Sequence, residues 1–343
     1  MGEQKYYLLG GTLGHSHSPR VHAALGNPAY ALHPLPPEAL EGFLADRDFA
    51  GVNVTIPYKQ AVMPLCDALD AAAVEIGAVN TIVNCGGRLF GCNTDIDGFL
   101  FLCREANIRL AGKKVLVLGS GGTSHTVCAA AKRNGAREVV VVSRTGAVNY
   151  DNVRTLHGDA EVIVNTTPVG MYPHADESPL SLDGFDRLTG VVDVIYNPLR
   201  TALVLDAERR AIPAAGGLSM LVAQAAAADT LFRGRRHTDG EISRIAAKLR
   251  QQKAAVAAKR AELGRIERRL ENRLRQLEDA ETAELGILRI QQTPPCRLFW
   301  LQEPFTVRGP RDMELAVARL IEAQGGRCTP LQYGAVTTPA GAD

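Results

Sequence analysis

The sequence Lys-Val-Leu-Val-Leu-Gly-Ser-Gly-Gly-Thr-Ser, residues 114–124, indicates the fold of the middle of the chain. Residues 114–118 predict a strand, a glycine-rich loop follows, and residues 123–134 predict an alanine-rich helix. Three more strands are predicted, at residues 138–142, 161–165 and 191–195. A strand, a glycine-rich loop, a helix and another strand within about thirty residues are typical of a dinucleotide-binding fold of the Rossmann type.

The glycine loop is suited to the pyrophosphate of a dinucleotide. Gly119 permits a tight turn directly after the strand, and Gly121 lets the backbone approach a pyrophosphate closely. Ser124 occupies the third small position, where the helix packs against the strand. The helix N-terminus offers unpaired N–H groups and a partial positive charge. The alternative interpretation is a plain turn, since glycine loops also serve that purpose.

The strand after this helix ends in Ser143-Arg144-Thr145, with no acidic residue nearby. An acidic residue at this position binds the free ribose 2′-hydroxyl of NAD, whereas an arginine accommodates the 2′-phosphate of NADP. The arginine fork also matches a phosphate and can stack on adenine. We therefore favour NADP over NAD; the alternative is a solvated arginine at a strand end.

Upstream of the loop, a lysine and an aspartate lie in two polar segments. Lys59 follows Pro57, which ends a strand predicted at residues 52–56, and Asp95 precedes a helix predicted at residues 97–107. A Lys–Asp pair can transfer a proton. The alternatives are a solvated lysine and a helix-capping aspartate. Neutral hydrogen-bonding residues at strand ends, which suit a polyhydroxylated substrate, accompany the pair. They are Asn53, Thr55, Asn80 and Thr94.

The segment at residues 14–22 is rich in serine and histidine. Ser16 and Ser18 stand at the start of a predicted helix, where their hydroxyl groups can donate to a carboxylate or cap the helix. The histidines at positions 15, 17 and 22 lack a convincing set of partners, so we predict no metal site. Other elements predicted upstream are strands at residues 6–10, 78–83 and 88–91 and helical spacing at residues 19–25 and 59–76.

Composition bounds the class of protein. The 343 residues are 46% apolar and 22% charged with a formal net charge of +1, which favours neither nucleic acid nor an anionic membrane as a partner. The seven scattered cysteines contain no CxxC pair, which argues against disulfides and structural zinc. The sequence shows neither a signal peptide nor an apolar run long enough to span a membrane. Together with the scattered cysteines, this favours a cytoplasmic location.

Beyond residue 235 the sequence changes character. Apolar residues recur at strict seven-residue intervals, with charged and polar residues between them. This seam consists of Ile242, Leu249, Val256, Leu263, Leu270 and Leu277. The second row of apolar heptad positions is incomplete, so we predict a long solvated helix over residues 236–290 with modest coiled-coil potential. Residues 291–343 show no clear period and stay unassigned, with partial disorder as one interpretation.

The ordered set of motifs over residues 6 to about 233 closely resembles the shikimate dehydrogenase family. The motifs that carry the resemblance are residues 15–19 (His-Ser-His-Ser-Pro), 53–59 (Asn-Val-Thr-Ile-Pro-Tyr-Lys), 77–81 (Gly-Ala-Val-Asn-Thr), 93–95 (Asn-Thr-Asp), the glycine loop, 143–145 (Ser-Arg-Thr), 165–171 (Asn-Thr-Thr-Pro-Val-Gly-Met), 193–198 (Asp-Val-Ile-Tyr-Asn-Pro) and 217–225 (Gly-Leu-Ser-Met-Leu-Val-Ala-Gln-Ala). The resemblance implies reversible NADPH-dependent reduction of 3-dehydroshikimate to shikimate, in the pathway to chorismate and the aromatic amino acids.

The resemblance also implies roles for individual residues. Lys59 would donate the proton, with Asp95 holding it in place. Ser16, Ser18 and Tyr196 would bind the ring carboxylate, and the ring hydroxyls would be bound by Asn53, Thr55, Asn80, Asp95 and Gln224. NADP would be contacted by Gly119, Ser120, Gly121, Gly122, Thr123, Ser143, Arg144, Thr145, Thr166, Val194, Gly217 and Met220.

The expected architecture is α/β, with two domains facing each other across a cleft. Residues 1–105, with a helix returning at 216–234, would form the substrate-binding domain. Residues 106–215 would form the NADP-binding domain, followed by the long helix. We expect a monomer or a homodimer, the latter formed through that helix.

The sequence departs from the family pattern in two places. Ser143 and Val148 stand where the family commonly has asparagine and a second basic residue, so selectivity for NADP would rest largely on Arg144. The C-terminal third contains no GxxxxGK[ST] loop, and therefore no sign of a fused kinase. The alternatives are a quinate/shikimate dehydrogenase that uses NAD, a helix that serves assembly rather than catalysis, and a remnant of a truncated fusion gene.

Overall fold

The computed structural model describes residues 4–14, 16–284, 287–293 and 296–301. The chain divides into two compact units after residue 257. Two separate sheets within the first unit confirm the predicted α/β class, while the predicted domain boundaries stay a prediction. Of the unassigned tail predicted over residues 291–343, residues 294–295 and 302–343 lie outside the described residues.

The first sheet is mixed and six-stranded, in the order β2-β1-β3-β5-β6-β4. Its strands are β1 (Tyr6–Gly10), β2 (Tyr30–Pro34), β3 (Gly51–Val54), β4 (Ala68–Leu69), β5 (Thr81–Cys85) and β6 (Arg88–Cys92). The first three run parallel, and β5 reverses direction beside β3. The strands predicted at residues 78–83 and 88–91 correspond to β5 and β6, which a hairpin turn at residues 86–87 joins. Four helices belong to this part of the chain: α1 (Ser18–Ala24), α2 (Leu40–Asp46), α3 (Ala71–Ile76) and α4 (Asp95–Glu105).

The helical spacing at residues 59–76 predicted too much helix. Only α3 is α-helical, after a 3₁₀ turn at Met63–Leu65 and the short strand β4. Pro64 in the 3₁₀ turn lacks the N–H that a longer helix would need. Asp70 then caps α3 by accepting from the N–H of Ala73 at 2.6 Å, so the helix begins at residue 71.

The second sheet is five-stranded and entirely parallel, in the order β11-β10-β9-β7-β8. Its strands are β7 (Lys114–Leu118), β8 (Glu138–Val142), β9 (Val162–Asn165), β10 (Gly190–Asp193) and β11 (Ala214–Gly216). Helices α5 (Gly122–Arg133), α6 (Val153–His157) and α7 (Ala202–Arg209) lie between these strands in sequence, and α8 (Leu218–Arg233) follows β11. Both sides of β7 are buried, as its apolar run predicts. This arrangement confirms the Rossmann-type sheet.

Helix α8 returns to pack against α4, and a glycine permits the close approach. A Cβ added at Gly98 would lie 2.7 Å from the carbonyl oxygen of Met220 and 2.9 Å from Cβ of Gln224. Phe99 and Leu102 on α4 are fully buried in the core that Met220 joins. The crossing therefore fixes the position of the middle of α8, where Gln224 lies.

The long predicted helix is α9 (Asp239–Glu284). It begins with a capping box, in which the Thr238 hydroxyl accepts from the N–H of Glu241 at 3.2 Å and the Glu241 carboxylate accepts from the N–H of Thr238 at 3.0 Å. Within the first unit, Ile242, Ala246 and Leu249 are buried. The predicted seam therefore packs into the body at its start, whereas Val256, Leu263 and Leu270 are exposed.

Strands follow the long helix, which the sequence did not predict. β12 (Ile287–Thr293) and β13 (Cys296–Leu301) pair antiparallel with each other. They overlap the end of the predicted helix and the start of the predicted unassigned tail. Among the described residues, no helix combines the length and apolar character that a membrane span requires.

Candidate active site

A cleft of about 390 Å³ lies among α1, the ends of β1 and β3, α4, α8 and the first turn of α5. It is lined by every residue predicted to bind or protonate the substrate: Ser16, Ser18, Asn53, Thr55, Lys59, Asn80, Asp95, Tyr196 and Gln224. Four residues predicted to contact the cofactor also line it, namely Thr123, Val194, Gly217 and Met220. The cleft therefore joins the whole predicted substrate site to part of the predicted nucleotide site.

Lys59 and Asp95 form an ion pair inside this cleft. The ammonium Nζ lies 2.6 Å from Asp95 Oδ2, and the two side chains are 28% and 16% exposed. Lys59 is held by its carbonyl, which accepts from the N–H of Val79 at 2.8 Å. Asp95 is the first residue of α4, where the helix dipole favours a negative charge. The pair is partly shielded from water yet open to a ligand, which suits proton transfer.

Buried amide and hydroxyl groups form the floor beside this ion pair. Asn80 Oδ1 accepts from the N–H of Thr94 at 2.8 Å and from the Thr81 hydroxyl at 2.9 Å, and Asn80 Nδ2 donates to Thr94 Oγ1 at 3.1 Å. Asn53 accepts from the Tyr30 hydroxyl at 2.8 Å and donates to Thr81 Oγ1 at 3.0 Å. Asn53 thus uses both ends of its amide within the protein, and its direct contact with substrate stays a prediction.

Ser16 and Ser18 lie at the start of α1. The Ser16 hydroxyl donates to Ser18 Oγ at 3.2 Å, and Ser16 Oγ accepts from the N–H of Ser18 at 3.2 Å. The N-cap residue of α1 is His17, whose side chain makes no cap bond. The His17 ring meets the Tyr196 ring edge-on, with centroids 5.9 Å apart, and burial lowers the pKa of His17, assisted by Lys253 and Arg20. These groups form one end of the cleft.

A buried carboxylate fixes the loop that carries Tyr196. Asp193 ends β10 and is completely buried, which raises the pKa of its carboxyl group. Its two oxygens accept from the N–H of Ile195, the Thr201 hydroxyl at 2.7 Å and the Asn165 amide. Such a fully satisfied buried group rigidifies its surroundings. Asn165, Asp193 and Ile195 lie within motifs and Thr201 does not, and the sequence did not indicate this network.

The glycine loop presents an open helix N-terminus. Gly119 adopts a φ of +103°, a left-handed conformation that favours glycine. No side chain caps α5, and its first turn contains no acidic residue. A Cβ placed on Gly121 or Gly122 would meet nothing within 4 Å. The loop therefore offers backbone N–H groups, positive potential and open space, and the residues present fit a pyrophosphate.

The remaining predicted cofactor residues surround this loop without lining the cleft. Thr166 follows β9 and donates its hydroxyl to the Leu118 carbonyl at 2.6 Å. Arg144 and Thr145 are exposed beyond the end of β8, and Ser120 is exposed in the loop itself. No carboxylate among the described side chains forms an ion pair with Arg144. The guanidinium is consequently available to a phosphate.

Sequence reasoning missed several contributors to the cleft. Thr12 and Leu221 line it, and Tyr30 orients Asn53 from outside. Leu221 lies within the motif at residues 217–225 but was given no role, whereas Thr12 and Tyr30 lie outside every motif. Among the described residues, no cluster of three or more His, Cys, Asp or Glu side chains could hold a metal ion. His15, one of the histidines considered for a metal, lies outside the described residues.

Comparison with known proteins gives a consistent result. Residues 8–82 match the family described as the shikimate dehydrogenase substrate binding domain. A shikimate dehydrogenase (NADP(+)) from Methanopyrus kandleri is 39% identical over 258 residues, covering 66% of this chain and 89% of the relative. A second curated protein of that name, from Moorella thermoacetica, is 37% identical over 267 residues, covering 69% of this chain and 90% of the relative.

Solved structures give the same picture. The shikimate 5-dehydrogenase of Thermus thermophilus, in complex with NADP(H) and shikimate, is 34% identical with a TM-score of 0.64, covering 72% of this chain and 99% of that one. A chorismate mutase/shikimate 5-dehydrogenase fusion protein from Clostridium acetobutylicum is 32% identical with a TM-score of 0.69, covering 74% of this chain and 99% of that one.

Proposed function

Because this chain belongs to the shikimate dehydrogenase family, we propose that it reversibly reduces 3-dehydroshikimate to shikimate with NADPH. The reaction belongs to the shikimate pathway, which leads to chorismate and the aromatic amino acids. The observation that carries the proposal is the Lys59–Asp95 ion pair at 2.6 Å, inside a cleft that extends to the nucleotide loop.

Lys59 is the proton donor in this reaction. When bound, NADPH supplies the hydride that the carbonyl carbon of the substrate accepts. As negative charge develops on the substrate oxygen, the Lys59 ammonium supplies both a proton and electrostatic stabilisation. Asp95 holds the ammonium at a fixed position through their 2.6 Å contact. In the oxidative direction the neutral amine takes the proton back.

The other polar residues of the cleft bind and orient the ring. Ser16, Ser18 and Tyr196 take the carboxylate at one end of the cleft. Uncharged amides and hydroxyls take the ring hydroxyl groups: Asn53, Thr55, Asn80 and Gln224, together with Asp95. Support comes from their common position around one cleft and from the rigid network that holds Asn80.

The cofactor is NADP(H), held by the loop at residues 119–123. Its 2′-phosphate is bound by Arg144, with Ser143 and Thr145 beside it, and Thr166, Val194, Gly217 and Met220 complete the site. Two observations support this assignment: the Arg144 guanidinium has no carboxylate partner among the described side chains, and Ser143-Arg144-Thr145 contains no acidic residue.

Initial rates with purified full-length chain test the function. We expect oxidation of NADPH at 340 nm with 3-dehydroshikimate, and reduction of NADP with shikimate. Parallel assays with quinate and with NAD address the alternative within the family. No turnover with 3-dehydroshikimate, or a higher kcat/KM for quinate with NAD, would contradict the proposal.

The exposed seam of α9 favours a second role, in assembly. Val256, Leu263 and Leu270 are 55–65% exposed at seven-residue spacing. Such a row suits pairing with another helix, and we infer homodimer formation through it. Sedimentation of the full chain and of a Leu263→Glu, Leu270→Glu variant tests this. An unchanged molar mass at concentrations where the wild type is dimeric, or a monomeric wild type, would contradict it.

A further inference from the structure

Helix α9 begins as part of the enzyme body. Ile242 and Leu249 are buried in one hydrophobic cluster with residues of α1, α4 and α8. Directly after Leu249, Arg250 donates to Glu105 Oε2 at 3.0 Å and also bonds the hydroxyl of Ser219. These contacts fix the rotation of the helix, and with it the position of Lys253 beside the cleft.

Lys253 is bonded to a residue that lines the cleft. Its ammonium Nζ donates to the Tyr196 carbonyl oxygen at 2.9 Å and lies 5.1 Å from the centroid of the Tyr196 ring. The same ring meets His17 edge-on. Lys253 thus restrains both the backbone and the ring of Tyr196, through a hydrogen bond and a cation–π contact.

The charge of Lys253 is not neutralised by a neighbouring acid. Burial lowers the pKa of Lys253, and the nearby Arg20 lowers it further. Arg20 itself donates to the neutral side chain of Gln252 at 2.9 Å. Within the described part of the chain, no carboxylate forms an ion pair with Lys253 or Arg20. Lys253 is half-buried and Arg20 is exposed, and these two cations leave positive potential beside Ser16, Ser18 and Tyr196.

We propose that Lys253 is a positioning residue for the carboxylate of the substrate. It holds Tyr196 in place and supplies positive potential at the end of the cleft where Ser16 and Ser18 lie. The proposal rests on the proposed function, because it requires a substrate that carries a carboxylate. It also assigns part of the C-terminal helix to the dehydrogenase reaction.

Calorimetric binding of shikimate to the Lys253→Met variant is the direct test. One unit charge on the order of 10 Å away, at an effective dielectric constant of about 20, changes affinity by about tenfold. We expect Kd for shikimate to rise about tenfold at low salt, and less at high salt. KM for shikimate should rise likewise, with kcat within about twofold and KM for NADP unchanged. Lys253→Arg should restore most of the affinity, and Lys248→Met, on an exposed part of the same helix, should change nothing.

The methyl ester of shikimate separates charge from structure. It carries no carboxylate charge, so Lys253→Met should hardly affect its binding. An unchanged Kd for shikimate in Lys253→Met, or an equal loss for shikimate and its ester, would overturn the proposal. If the wild type binds shikimate but does not oxidise NADPH in the presence of 3-dehydroshikimate, that result counts against the proposed function alone, because the calorimetric comparison needs no turnover. A wild type that does not bind shikimate overturns both.

Discussion

Replacement of Gly98 by alanine tests whether the α4–α8 crossing holds the cleft together. The added Cβ would lie 2.7 Å from the Met220 carbonyl oxygen, 2.9 Å from Gln224 Cβ and 3.2 Å from the Gln224 backbone nitrogen. Ordinary van der Waals contacts begin at 3.4 Å, so α4 and α8 must separate by roughly 0.7 Å. Two of these neighbours are backbone atoms and the third is a Cβ, so no rotamer change can relieve the contact.

The expected loss of stability follows from two opposing effects. Overpacking of a well-packed core costs about 1–3 kcal/mol. Alanine in place of glycine within a helix returns about 1 kcal/mol. Because backbone must move, we take the upper end of the first effect and expect a net loss of about 2 kcal/mol. The melting temperature should then fall by roughly 4–8 °C.

The same displacement should affect substrate binding. Gln224 lies where the helices are forced apart, and misplacement of a binding group by about 1 Å can cost up to a hundredfold in rate. We expect KM for shikimate to rise roughly tenfold while KM for NADP rises less. Thermal unfolding and initial rates at 340 nm measure the two effects on the same preparation.

Gly42 provides the matched control. It lies on the exposed face of α2, and a Cβ there would meet nothing within 4 Å. Gly42→Ala should therefore raise stability by up to about 1 kcal/mol and leave the kinetics unchanged. If Gly98→Ala matched Gly42→Ala in melting temperature and in KM for shikimate, the inferred contact between the two helices would be refuted.

Three further substitutions address the chemistry, the cofactor and the pH dependence of stability. Lys59→Met should lower kcat about 10²- to 10⁴-fold in initial-rate assays, and full turnover in this variant would remove the proton-donor assignment. Arg144→Ser should raise KM for NADP about tenfold or more without affecting KM for NAD; an equal effect on both cofactors would contradict the 2′-phosphate contact. Burial lowers the pKa of His22 to about 4, opposed by Asp229. Below pH about 6.5 the unfolded chain binds a proton at His22 that the folded chain does not bind until the pH nears 4. The free energy of unfolding should therefore fall by up to about 3 kcal/mol as the pH is lowered from 6.5 to 4. His22→Phe, which can stack on Tyr30 as His22 does, should flatten that part of the profile in urea titrations; a profile parallel to wild type would contradict the reasoning.

Much of the fold followed from short-range signals. The apolar run of β7 and the glycines after it predicted the Rossmann-type sheet, because buried parallel strands need continuous hydrophobicity. The long helix predicted over residues 59–76 was wrong, although the apolar spacing is helical. Pro64 and the N-cap Asp70 interrupt the segment, so only residues 71–76 form an α-helix. The hairpin of β12 and β13 gave no usable period.

The site was predictable to the extent that its residues lie in motifs. Lys59, Asp95 and the two serines came from such segments, and the structure brings them around one cleft. Lys253 was not predictable, since it is one of many charged residues in a heptad pattern. Its place at Tyr196 depends on how Ile242 and Leu249 pack, and the pattern assigned these two to a solvated seam.

The floor of the cleft restricts how its sequence can diverge. The side chains of Asn80, Thr81 and Thr94 hydrogen-bond to one another away from water. Replacing any one of the three would leave polar atoms of the others buried without a hydrogen-bond partner, and each such atom lowers the free energy of unfolding by about 1–3 kcal/mol. Single changes are therefore costly even where paired changes would be tolerated. We therefore expect these three positions to be conserved together among relatives, while exposed positions of the chain vary.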